Sequence, residues 1–348
     1  MKKQFSKIYS QLFVVGIISI CSLNLNAQTG TTLHERRLAQ RAADAEMQVK
    51  SDAVITRDVV YGSNLNWKGE KEDLKLDVYT PPKTGKKYPF ILFVHGGGFV
   101  KGDKKSSKNI AKLLVNQDFV VASINYRLGW DQGKKNGKKI SEPNEQSANE
   151  AKYRAMQDIR ASLRYLVANA YKYNIDTNWI FVSGASAGGV AALNLIFDDQ
   201  ESYNKILPDF EKKFGPLNFS SNSLTNSYTV KAIVPMWGAL NTMDVVTRGK
   251  AIPTLFFQGA KDPVVPYDVG YWYTNPNFSL GYGTKPIYDK LRSMGVSAVA
   301  YVDPQGGHGV YSVKFITDIM GCFLKKVIKG EQQSGFYIST EEVKHNCP

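Results

Sequence analysis

The sequence predicts an α/β protein: an open, mostly parallel sheet with helices on both faces. Three observations predict it. Short, continuously apolar runs recur along the chain, among them 89–95 (PFILFVH) and 119–126 (FVVASINY). Runs without polar alternation suit strands that are buried on both sides. Stretches of helical periodicity separate them, and strand–helix–strand alternation at this spacing builds a helix-wrapped sheet. The chain has 348 residues, enough for one large domain of this kind.

The elements follow in order. Eight strands are expected, at 54–61, 74–79, 89–95, 119–126, 179–183, 230–236, 252–258 and 296–302. Helices are expected at 109–116, 148–170, 188–197, 287–294 and 310–328. In the long 148–170 helix Ala155, Ile159, Leu163, Leu166 and Val167 share one face. The modest stretch 198–229 is an insertion and a candidate lid.

The N-terminus reads as an address rather than as part of the fold. Lys2, Lys3 and Lys7 precede an apolar stretch, 12–21, and Leu25-Asn26-Ala27 ends on a small residue. That is the layout of a secretory signal peptide spanning 1–27. The alternative, a membrane anchor, needs a longer apolar core. A lipoprotein with Cys21 as lipid acceptor ranks second, because Ile20 is bulky where a small residue is expected. Residues 28–50 are a polar leader or peripheral helix, and 51–348 form the globular domain. The expected protein is exported, with no stable membrane insertion after cleavage.

Composition excludes several classes. Hydrophobic residues make up 43% and charged residues 22%, which rules out a disordered chain or a rod. Three cysteines without a Cys-x-x-Cys and four histidines leave little for a zinc or multi-His metal site. The net charge is +13, but the basic runs 101–108 and 134–139 lack interleaved aromatics, so they read as solvated surface and not as a nucleic-acid site. Cys322 and Cys347 remain beyond the leader. In an oxidising compartment they can pair and staple the tail to the last helix, worth about 3 kcal/mol; otherwise they are two separate thiols.

In open α/β sheets the working site lies beyond the carboxyl ends of the strands. The loop after 182 reads Gly184-Ala185-Ser186-Ala187-Gly188. A serine at so sharp a strand-to-helix turn is held in a strained conformation, with its hydroxyl projecting above the sheet at a helix N-terminus. The loop after 94 reads His95-Gly96-Gly97-Gly98-Phe99. Three consecutive glycines let backbone N–H groups approach a ligand closely, as stabilisation of an oxyanion requires. A phosphate loop needs a following Lys-Ser/Thr or a Gly-x-Gly-x-x-Gly, and neither fits. Among the histidines, only His308 in Gln305-Gly306-Gly307-His308-Gly309 both follows a strand and precedes the last long helix, the place for a general base. Asp262 follows the 252–258 strand and is the candidate acid; Asp244 and Asp268 lie further from a strand end. The chain order Ser186, Asp262, His308 is that of a nucleophile elbow with its partners.

On these residues the chain resembles the α/β-hydrolase superfamily, and within it the carboxylesterase and hormone-sensitive-lipase-like esterases. The resemblance covers about 54–330. It rests on Leu74-Lys75-Leu76-Asp77-Val78-Tyr79, the His95–Phe99 loop, Asn125-Tyr126-Arg127-Leu128, Asp158, Gly184–Gly189 and the Asp262/His308 pair. It implies an α/β-hydrolase fold and a secreted serine carboxylesterase with Ser186, His308 and Asp262 as its catalytic triad. It also implies an oxyanion hole formed by the amides of Gly97, Gly98 and Ala187, and no metal or organic cofactor. The expected substrate is a small-molecule or polysaccharide-linked ester. Aromatics crowd the region after Asp262 (Tyr267, Tyr271, Trp272, Tyr273, Phe278, Tyr282). Phe99, Trp237, Tyr271 and Trp272 are the candidate substrate contacts. Rings beside a nucleophile suit aryl acyl groups or sugars, which keeps an acetyl or feruloyl esterase of plant polysaccharide as the alternative. A peptidase of the same fold and a non-catalytic binding module are more distant readings. The oligomeric state stays open.

Overall fold

The computed structural model describes residues 53–82, 85–345 and 347. The expected signal peptide, the 28–50 leader and Cys21 lie outside these residues. The described chain builds one nine-stranded sheet. Its strands are β1 (Val54–Leu65), β2 (Lys71–Thr80), β3 (Tyr88–Val94), β4 (Val120–Ile124), β5 (Ile175–Ala185), β6 (Val230–Met236), β7 (Thr254–Gly259), β8 (Ala298–Asp303) and β9 (Ser334–Ile338). They lie in the order β1-β2-β4-β3-β5-β6-β7-β8-β9. β2 pairs antiparallel with β1 and β4, and every other neighbouring pair is parallel. Seven helices are described: α1 (Lys108–Val115), α2 (Glu145–Ala168), α3 (Ala187–Phe197), α4 (Gln200–Ile206), α5 (Phe210–Phe214), α6 (Thr284–Ser293) and α7 (Val313–Ile328).

The sheet therefore has nine strands, not the eight expected. The extra one, β9, is a short edge strand with no fully buried residue. An edge strand with one neighbour carries little of the apolar signal that marks a central one. The central strands behave as their composition demands. Phe90, Leu92 and Val94 of β3 point into one core, Ile91 and Phe93 into the other. This is the two-residue period of a strand covered on both faces. α2, α3 and α6 close the first face through residues such as Ile159, Leu163, Leu193 and Ile287. α1 and α7 close the second through Leu114, Val115, Ile316, Met320 and Phe323. Asn144 and Ser312 cap α2 and α7, accepting from the Ser147 and Phe315 amides, and caps of this type contribute about 1 kcal/mol each. Cys322 of α7 is joined to Cys347 by a disulfide that closes a 25-residue separation.

No residue of the 198–229 insertion lines the cavity that contains Ser186 and His308. The insertion holds α4 and α5 and clamps onto the flank of α2. Tyr153 packs edge-on against Tyr203 and Phe210, with ring centroids 5.1 and 5.6 Å apart. Its hydroxyl donates to the Gly215 carbonyl (2.9 Å), and the Gln157 amide donates to the carbonyls of Phe214 and Pro216. So many buried donors and acceptors across one seam explain why a segment with the length of a lid packs down as a brace. Among the described residues no helix is long and apolar enough to cross a membrane.

Candidate active site

The turn that carries Ser186 joins the central strand β5 to α3. Ser186 adopts φ 56° and ψ −120°, a region costly for any residue with a side chain. Its surroundings leave little freedom. The Ser186 amide donates to the Met236 carbonyl at the end of β6 (3.0 Å), and its own carbonyl accepts from Val190 (2.8 Å). A Cβ on Gly188 would sit 2.0 Å from the Val94 carbonyl oxygen, so only glycine lets the helix start this close to β3.

His308 and Asp262 reach this hydroxyl from the ends of β8 and β7. His308 Nε2 lies 2.8 Å from Ser186 Oγ, and His308 Nδ1 lies 2.8 Å from Asp262 Oδ2. The carboxylate is fixed from all sides: Oδ1 accepts from the Val264 and Val265 amides (2.8 and 3.0 Å), and Oδ2 also accepts from Gln258 Nε2 (2.9 Å). A buried carboxylate so bonded holds the imidazole with its Nδ1 proton towards the acid and its Nε2 lone pair towards the hydroxyl. Asp244 and Asp268, the alternative acids, are exposed, and the carboxylate that bonds the ring is that of Asp262.

The glycine loop lies beside this line of groups. Gly97 has φ 119°, and a Cβ there would meet the Lys101 carbonyl oxygen at 1.9 Å. That carbon is excluded because the Val100 and Lys101 amides both turn back to the Gly97 carbonyl (3.1 Å each). Trp130 Nε1 donates to the Gly98 carbonyl (2.7 Å) and so fixes the orientation of that peptide. Among the described residues, no hydrogen bond uses the amides of Gly97, Gly98 or Ala187, and all three residues line the cavity that contains Ser186 and His308. His95, which leads the loop, is structural. Its ring stacks on Tyr126 at 4.4 Å, its Nδ1 lies 2.7 Å from the Gly96 carbonyl oxygen, and burial pushes its basicity below the ordinary range.

The cavity has a volume of about 600 Å³. Of the four expected substrate contacts, Phe99, Trp237 and Trp272 line it, and Trp237 meets the His308 ring edge-on at 6.3 Å. Tyr271 does not. It stands on a short outer strand (Val269–Tyr271) and is 45% exposed. Strand alternation and the turn that follows bring Trp272 and Tyr273 to the cavity instead, although Tyr273 remains 41% exposed. Phe278, one of the aromatics noted after Asp262, also lines it, and Trp130 and the polar or charged side chains of Lys101, Gln132, Glu145, Asn149, Lys152 and Asn241 do so without having been expected. Lys152 had a visible signal: it stands three residues before Ala155 on the apolar face read from the sequence.

A family model, BD-FAE, matches residues 76–250, half of the chain. The chain belongs to the BD-FAE family. The matched stretch holds the glycine loop and Ser186 and ends before Asp262 and His308. Carboxylesterase 3B of Mus musculus is 31% identical to this BD-FAE member over 124 residues, covering 35% of the chain and 20% of that protein. The medium-chain fatty acyl-CoA hydrolase precursor of Anas platyrhynchos is 30% identical over 151 residues, covering 43% and 25%. The matches thus span about a fifth to a quarter of these relatives' length. Among solved structures, esterase B from Lactobacillus rhamnosis aligns with a TM-score of 0.53 at 16% identity, covering 85% of this chain and 93% of that one. An esterase from Rhizomucor miehei aligns at 0.52 and 18%, covering 84% and 88%. The BD-FAE chain has the α/β-hydrolase fold of these esterases.

Proposed function

We propose that the protein is a serine carboxylesterase that hydrolyses carboxylic esters through an acyl-enzyme on Ser186. The observation that carries this reading is the continuous line from Asp262 through His308 to Ser186, with both contacts at 2.8 Å. The similarity to carboxylesterases supports it. His308 takes the proton of Ser186 as the oxygen attacks the ester carbonyl. Asp262 stabilises the imidazolium that forms. The amides of Gly97, Gly98 and Ala187 receive the negative charge on the carbonyl oxygen, donors oriented before the reaction begins. His308 then protonates the leaving alcohol, and a water repeats the cycle to release the acid.

The test is hydrolysis of p-nitrophenyl butyrate, with covalent capture by a fluorophosphonate probe. Ser186→Ala is expected to lower kcat by at least about 10³-fold and to abolish labelling. Retention of full activity would reject the reading.

A second reading is an acetyl or feruloyl esterase acting on plant polysaccharide. The aromatic wall of Trp130, Trp237, Trp272, Tyr273 and Phe278 favours it, because such faces stack on aryl and sugar rings. Acetylated and feruloylated xylans assayed against simple esters separate the two. We also infer export through the segment 1–27, which the Cys322–Cys347 disulfide supports as a bond of oxidising compartments. The mass of the mature N-terminus distinguishes cleavage after Ala27 from lipidation at Cys21.

A further inference from the structure

One stretch of the cavity wall is polar and charged where most of the rest is aromatic or aliphatic. Lys152 of α2 lines the cavity although it is only 7% exposed. Among the described residues no hydrogen bond or ion pair engages its ammonium. Asn149, one turn earlier on α2, and Asn241, beyond β6, line the same cavity and a smaller one of about 30 Å³ behind it. Their side-chain amides are likewise unengaged among the described residues. Three side chains with unused donors therefore meet where the two cavities adjoin. Buried polar groups in folded proteins are almost always bonded, and a buried cation without a contact partner is costly.

The carboxylates in the neighbourhood do not satisfy this lysine. Asp198 borders the smaller cavity, and Glu145, which also lines the main one, sits two turns away along α2, about 10 Å by helix geometry. Glu145 is half-exposed and already accepts from the Ser279 amide and hydroxyl (2.9 and 2.5 Å). Burial pushes the Lys152 amine below its ordinary range, with Asp198 and Glu145 opposing, and pushes the Asp198 carboxyl up. Neither group holds its counter-charge in contact.

We propose that Lys152, with the amides of Asn149 and Asn241, forms a subsite for a carboxylate, so that the enzyme selects esters bearing an acidic group away from the scissile bond. The proposal rests on the esterase reading and names its substrate class. One ammonium and two neutral amides match a single negative charge. A phosphate dianion would bring a second charge with no buried cation to meet it. The anion takes no part in bond making; it fixes where the ester carbonyl lies against Ser186.

Two substrate pairs test this, each an acid and its methyl ester. On the acyl side they are p-nitrophenyl hydrogen adipate and p-nitrophenyl methyl adipate. On the alcohol side they are 4-acetoxybenzoate and methyl 4-acetoxybenzoate. In at least one pair the wild-type enzyme is expected to favour the acid in kcat/KM by about 10-fold or more. Lys152→Met is expected to lower that acid-to-ester ratio by about 10- to 100-fold, the usual worth of a hydrogen bond to a charged group, while Lys152→Arg retains part of it. A wild-type ratio of one or less in both pairs overturns the proposal without any variant, and so does a preference that survives Lys152→Met. In either case hydrolysis of the neutral esters leaves the esterase reading intact. If no ester of either pair is hydrolysed, both readings fall.

Discussion

Two buried cations on neighbouring parts of the fold are treated in opposite ways. Arg127, beyond β4, is saturated. Its Nε donates to both oxygens of Asp158 (3.0 and 2.9 Å), Nη2 to Gln157 (2.8 Å) and Nη1 to the Leu65 carbonyl (3.1 Å). Asp158 further accepts from the Arg127 amide and the Ser221 hydroxyl (2.8 and 2.7 Å). This node ties the edge of the sheet, α2 and the 198–229 brace together. Lys152, on the same helix as Asp158, touches no partner among the described residues and opens onto the cavity. Arg127 is closed off by bonds within the fold, whereas Lys152, on the wall of the cavity that contains Ser186, is left with bonds to make. Desolvation penalises both alike, so only the first group repays it within the fold.

The largest effect that can break this comparison is loss of the saturated node. Arg127→Met leaves the Asp158 carboxylate, fully buried, without its counter-charge. Urea unfolding is expected to show a loss of about 3–5 kcal/mol; a loss below about 1 kcal/mol would mean that the node holds nothing. His95 offers a smaller and pH-selective test. Its Nε2 is buried without a partner, and burial depresses its basicity. The unfolded chain therefore takes up the proton first as pH falls below about 6.5. Stability is full above that pH and is lost on the way down to the depressed folded value. His95→Gln is expected to flatten the fall in unfolding free energy between about pH 6.5 and 5, above the ordinary carboxylate range. An unchanged slope would show that this ring does not titrate with unfolding. The smallest effect sharpens the contrast. Lys152→Met keeps the apolar stem and removes an unbonded buried amine, so its unfolding free energy is expected to stay within about 1 kcal/mol of wild type or to rise. A loss as large as that of Arg127→Met would erase the distinction between the two cations.

Much of this arrangement is legible in the sequence because its causes are local. Gly184–Gly189 announces a crowded strand-to-helix turn, and the continuous apolar runs announce doubly covered strands. His308 and Asp262 follow once the strand ends are known, since a parallel sheet delivers every such end to one rim. What was not legible depends on packing between distant segments. β9 reads as tail because its single neighbour, β8, is 36 positions upstream in the register and its apolar run is short. The insertion reads as a lid because sequence shows its length but not the seam of Tyr153, Gln157 and Asp158 that clamps it. Tyr271 and Tyr273 differ only in which way a short strand and turn aim them. Lys152 sits in phase with an apolar face, yet a lysine there is ordinarily taken for a solvated side chain, and only the cavity reveals where it leads.

The glycine contacts around Ser186 carry a last consequence. The turn is wedged between the carbonyl of Val94 on one side and that of Met236 on the other, at the middle of the sheet. The Ser186 hydroxyl is thus anchored at the centre of the sheet, four strands in from either edge, β1 or β9. A substitution confined to either edge strand is therefore expected to reach this turn only through the strands that lie between.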